Sequence, residues 1–186
     1  MTSDRHSTDE NLRRAVLHGC FPKVGRDPGM GQARAVALYA KYLPLYEHFR
    51  RRVLCFEPDP MRVPRGARGK LYTVKDGYVA GIMTATVEAG AKVRHARTPY
   101  ALFRVKHGWN VGRVGVMYPG DAKMQRVKFR FNGTIIAVPL EAYANSVVVK
   151  LFVTRKTGKR IGSEKFTGPV DYCGDPESSF QDISDR

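Results

Sequence analysis

The hydrophobic pattern of this chain changes period once, and that change dictates the class of fold it can reach. Up to about residue 57 apolar residues recur at helical spacing; from Leu71 onward they recur at every second position. Helices first and strands afterwards predict an α+β architecture: N-terminal helices packed on a mostly antiparallel β-sheet of about six or seven strands, with one short inserted helix.

Residues 1–19 read as a short helix. Ser7 and Glu10 match an S-x-x-E capping box, Leu12, Ala15 and Val16 form a small apolar stripe, and Gly19 is placed to stop the helix. Residues 21–31 hold Pro22, Gly25, Pro28 and Gly29 and read as a loop. A second helix is expected from about Gln32, with Val36, Tyr39 and Leu43 on one face. Pro44 must break or kink it, or open a further helix to about Leu54 lined by Leu45, Phe49 and Val53. Residues 57–70 form a basic Pro/Gly loop.

Residues 71–75 and 78–88 read as strands around Asp76-Gly77. Residues 98–108 (TPYALFRVKHG) carry helix punctuation: Thr98 as cap, Pro99 in the first turn, Gly108 after the last. Residues 111–117 read as a short strand. In residues 125–138 Val127, Phe129 and Phe131 alternate with Arg126, Lys128 and Arg130, and Asn132-Gly133 supplies both residues of a type I′ turn. Residues 146–154 (SVVVKLFVT) are nearly all apolar, which predicts a central strand; residues 161–167 are expected to pair back. The organisation expected is residues 1–30 as helix and loop, 31–170 as a single α+β domain, and 171–186 as a loosely ordered acidic tail.

Charge bears most on function. The 32 Lys and Arg stand against 17 Asp and Glu, a net +15 over 186 residues. Asp171, Asp175, Glu177, Asp182 and Asp185 oppose only Arg186 in the tail, giving −4 there and leaving +19 on residues 1–170. Such a body attracts polyanions. Three clusters are candidate binding sites. The first is Arg126, Lys128 and Arg130 along one strand face, about 7 Å apart. The second is the turn Arg155, Lys156, Lys159 and Arg160; the third joins Arg50, Arg51 and Arg52 to Arg62, Arg65, Arg68 and Lys70. A helix dipole also accounts for the arginine triplet. Phe103, Trp109, Tyr118, Tyr143 and Tyr172 are available for base stacking.

Reactive chemistry is hard to assemble. The histidines (His6, His18, His48, His95, His107) are scattered, no metal-ligand spacing occurs, and no cofactor is expected. Gly158-Lys159 is followed by Arg160, and Val153 stands where a phosphate loop needs Gly. Between residues 60 and 170 the carboxylates are only Asp76, Glu88, Asp121, Glu141 and Glu164, so an enzyme is not expected. Cys20, Cys55 and Cys173 lie far apart, which fits free thiols in a reducing compartment. No apolar run approaches the ~20 residues of a membrane span and no signal peptide leads the chain, so an intracellular location is expected.

A small, strongly basic chain with helices leading into an antiparallel sheet resembles the rhabdovirus matrix proteins, particularly those of plant-infecting members. The likeness rests on GIMTATVE, then TPYALFRVKHGW ending in Trp109, then the Asn-Gly hairpin, about a quarter of the chain. It implies a virion structural protein that binds RNA or ribonucleoprotein, touches the anionic inner membrane surface and self-associates. The proline-rich budding motifs common in that family do not occur here. An RNA-coating movement or silencing-suppressor protein and a nucleic-acid-enclosing coat protein are the alternative expectations.

Overall fold

The computed structural model describes residues 8–22, 31–56, 60–64, 66–83, 99–104, 110–132, 134–141, 146–154 and 163–165. Among the described residues, helices α1 (Thr8–Leu17) and α2 (Gln32–Glu47) precede eleven strands. These are β1 (Val53–Leu54), β2 (Met61–Arg62), β3 (Arg68–Val74), β4 (Gly77–Met83), β5 (Tyr100–Arg104) and β6 (Asn110–Met117), followed by β7 (Gln125–Val127), β8 (Phe129–Phe131), β9 (Ile135–Pro139), β10 (Ser146–Thr154) and β11 (Ser163–Lys165). The fold is α+β, with the N-terminal helices on a sheet. Six strands are five residues or longer; the other five are two or three residues long.

The strands form two sheets, ordered β1-β3-β4-β10-β6-β7 and β11-β8-β9-β5-β2. All pairs are antiparallel except β11 with β8, so the segment expected to pair back does so, but in parallel and in the other sheet. Alternate residues explain the layering. Tyr78, Ala80 and Ile82 of β4, Val147, Val149 and Leu151 of β10, and Val114 and Val116 of β6 meet Phe103, Phe129, Ile136 and Val138 of the second sheet in one apolar core. The intervening residues Val79, Val148 and Met117 point the other way and pack with Tyr72 against Leu12, Val16, Tyr42, Leu45, Tyr46 and Phe49 of the helical layer. The molecule is three layers deep, and β10 is central as its composition predicts.

Helix α1 ends as its sequence predicts. Gly19 adopts φ +59°, its N–H bonds the Val16 carbonyl at 3.0 Å, and the Cys20 N–H bonds that of Ala15 at 3.0 Å. This is a Schellman closure, which satisfies two orphan carbonyls. The capping box at Ser7 lies outside the described residues. Three tyrosine hydroxyls pin the helix down: Tyr42 donates to Asp9 (2.9 Å), Tyr46 to the Leu12 carbonyl and Tyr72 to the Leu17 carbonyl (both 3.1 Å).

Four expectations are corrected. Pro44 lies inside α2 and no further helix runs to Leu54; the chain turns at residues 48–51 and enters β1. The buried stripe is Tyr42, Leu45, Tyr46 and Phe49, while Val36 is 61% exposed and Leu43 is exposed. That stripe spans Pro44 without interruption. Burying four such side chains at about 1.5–3 kcal/mol each outweighs the ~3 kcal/mol of an internal proline. The helix expected over 98–108 is strand β5 across residues 100–104. Ala101, Leu102 and Phe103 are all buried there, and β5 pairs with both β9 and β2, so sheet burial overrides the Thr-Pro cap signal. The hairpin turn falls one residue later than expected. Asn132 N–H bonds the Ile135 carbonyl at 3.3 Å, and the Asn132 side chain accepts from the Thr134 and Ile135 amides, an Asx turn.

Candidate nucleic-acid interface

The strand carrying Arg126, Lys128 and Arg130 does not present three cations on one face. It leaves the first sheet after Val127 and joins the second at Phe129. Val127, Phe129 and Phe131 all still point into the core between the sheets. Arg126 stands opposite Gly115, whose flanking Val114 and Val116 face that core, so Arg126 projects on the outer, helix-bearing face of the first sheet. Arg130 stands opposite Ala137, whose neighbours Ile136 and Val138 face the core, so it projects on the outer face of the second sheet, 5.4 Å from the Tyr100 ring centre. The two arginines lie on opposite sides of a sandwich about 10 Å thick. Exposed Lys128 marks the crossing.

The helices cover only part of the outer face of the first sheet. Beyond them lies a cationic–aromatic cluster. Arg113 of β6 and Phe152 of β10 are direct partners across the ladder, and the Arg113 guanidinium carbon lies 4.0 Å over the centre of the Phe152 ring. Lys150 Nζ is 4.7 Å from the same ring. The pairing continues the regular register of the ladder, which bulges only beyond it. Between Phe152 and Val153 the register to β6 shifts by one, leaving Gly112 as the extra residue. Val111 therefore faces the core along with Val114 and Val116, while Arg113 lies on the outer face by the ordinary alternation next to Val114.

Burial sorts the cations of this face. Arg113 and Arg126 are exposed. The Lys150 side chain is only 14% exposed and its ammonium bonds Asp76 at 3.0 Å, so it is a neutralised pair. His48, at the end of α2, places Nε2 3.2 Å from the Met117 sulfur. Burial holds its pKa below the usual histidine value, and the Lys150 charge adds to that shift. Among the described residues, Arg113 over Phe152 and Arg126 stand exposed on this face. Sequence reading missed Arg113 and Phe152, since nothing local pairs two residues 39 positions apart.

The remaining candidates are dispersed. Arg52 lies 5.8 Å from the Tyr72 ring centre, Lys70 Nζ is 3.0 Å from His18 Nδ1, and Arg50 pairs with Glu47. Arg52 and Lys70 lie at the C-terminal end of α1, beside Gly19 and His18, with exposed Arg51 and Arg68 nearby in the chain. Arg62 is half-buried in β2, in the other sheet, so this third cluster is divided. Arg65 and the turn Arg155, Lys156, Lys159 and Arg160 lie outside the described residues, as do Trp109, Tyr143 and Tyr172. Phe103 is buried in the core and supplies no stacking surface. Tyr118 is half-buried; its hydroxyl accepts the Glu141 N–H at 2.8 Å, and burial pushes its pKa up to about 12. Among the described residues no three His, Cys, Asp or Glu side chains gather as a metal site, and no helix is long and apolar enough to cross a membrane. The chain matches no family model, no curated protein and no solved structure.

Proposed function

We propose that this protein is a non-enzymatic, polyanion-binding structural protein whose principal ligand is RNA or ribonucleoprotein, matrix-like in role. The supporting observation is the open end of the outer sheet face, where Arg113 and Arg126 stand exposed around Phe152 in a chain of net charge +15. Phosphate contacts of this kind give affinity with little sequence preference. The test is a salt series of RNA binding. Arg113→Ala with Arg126→Ala should weaken binding and flatten the log–log salt slope by about 0.7 per lost contact, hence roughly 1.4 on single strands. Arg130→Ala, on the opposite face, should leave the slope as it is. An unchanged slope in the double variant would remove this face from the interface.

A second surface favours the membrane contact of a matrix-like protein. Val53 is 61% exposed, Leu54 is exposed and Phe56 is 84% exposed, directly after Arg50, Arg51 and Arg52 on edge strand β1. Apolar side chains beside contiguous arginines suit an anionic headgroup layer, the arginines meeting phosphate and the apolar groups entering the acyl boundary. Phe56→Ser should reduce sedimentation with phosphatidylserine vesicles and leave RNA binding intact. Equal loss of both would argue against a separate lipid edge.

A further inference from the structure

We infer that the Arg113–Phe152 stack receives an unpaired nucleobase, so that the ligand is single-stranded nucleic acid held by stacking. This rests on the polyanion-binding reading above and names the ligand of that same site. A guanidinium whose carbon lies 4.0 Å over the centre of an aromatic ring is held against a surface it would otherwise sweep through, which removes rotamer entropy before any ligand arrives. Arg113 is nonetheless exposed, so its side chain is reachable from solvent. Lys150 Nζ also lies 4.7 Å from the ring centre, with its charge taken by Asp76, and Asp76 is thereby kept from repelling a phosphate. Arg126 sits diagonally from Arg113, one strand over and two residues along, about 8 Å between Cα atoms. A base stacked on Arg113 thus has a cation beside it for its own backbone.

Only an unpaired strand uses all of these features. In a duplex the base faces are already occupied by their neighbours, and a lipid headgroup has no π-face to stack. A fixed cation pair alone would serve duplex, single strand and vesicle alike.

Variants that preserve charge test this. Phe152→Leu removes the ring and Arg113→Lys removes the planar group, while both leave the net charge at +15. Binding is measured by fluorescence anisotropy on oligonucleotides of about 12 nucleotides, as single-stranded RNA, single-stranded DNA and duplex, with phosphatidylserine vesicles as a further arm. Both variants should weaken single-strand binding roughly 5- to 150-fold, RNA and DNA alike, with the salt slope, duplex and vesicle binding unchanged. Phe152→Tyr should restore the loss. Equal weakening on duplex and single strand, or none on either, overturns the stacking site. If the Arg113→Ala/Arg126→Ala slope change persists in that case, polyanion binding stands and only the base contact is wrong. Phe152 is half-buried, so the thermal midpoint of Phe152→Leu is measured alongside; if that variant unfolds, the exposed Arg113→Lys decides the matter.

Discussion

Gly81 of β4 lies beneath the end of α1, where a Cβ would stand 2.1 Å from the Val16 carbonyl oxygen. Backbone cannot yield as a side-chain tip can, so Gly81→Ala should push α1 off the sheet at a cost of about 3 kcal/mol, read as a lower urea midpoint. Tyr46→Phe is the contrasting case. It leaves the shape intact and removes only the hydroxyl that bonds the Leu12 carbonyl, so about 1 kcal/mol is expected. In the sequence Gly81 reads as one more residue of an apolar strand. Its need for a bare Cα comes from a helix some sixty residues earlier, and no local pattern carries that information. Phe152 was hidden in the same way. In SVVVKLFVT only Lys150 breaks the apolar run, and which side meets Arg113 depends on the register with another strand.

At the scale of elements, α1 has the clearest local code, because capping and stripe are both short-range. Leu12, Ala15 and Val16 are buried and Gly19 closes the helix, as their spacing requires. Gly19→Ala places a Cβ in the left-handed region, at about 1–2 kcal/mol, and 2.7 Å from the Phe49 ring. Amide hydrogen exchange across residues 12–17 should accelerate while that of β10 holds, since β10 is fixed from both sides by β4 and β6. Residues 125–131 show where local code runs out. Their alternation correctly marks which side chains are inward, but the same alternation results whether a strand stays in one sheet or passes to the other, because both sheets face one core. Only the outward residues reveal the difference, and these are the cations whose position matters for binding. Strand β5 carried a cap signal worth about 1 kcal/mol, set against burial of three consecutive apolar side chains on a doubly paired strand.

Across the whole molecule, titration should bound stability on both sides. His18 has its pKa lowered by burial and by the Lys70 and Arg14 charges; His48 is lowered by burial and by Lys150. A depressed histidine binds fewer protons folded than unfolded, so its contribution is complete above the unfolded value of 6.5 and is lost as pH falls below it. Tyr42, Tyr46 and Tyr118 are raised, chiefly by burial. The unfolded chain releases those protons near pH 10 while the native state keeps them, so stability falls as pH rises past that point. Thermal melts should therefore show a plateau between about pH 7 and 9.5, with a decline on each side. Self-repulsion of the +15 chain adds to the acid decline, and salt separates the two contributions. Surface repulsion is screened over about 3 Å at 1 M salt, whereas desolvation of His48 against Met117 is not. At high salt His48→Gln should then flatten part of what remains of the acid limb, the burial of His18 carrying a further share. A limb that vanishes in salt without that substitution would assign the acid sensitivity to net charge alone.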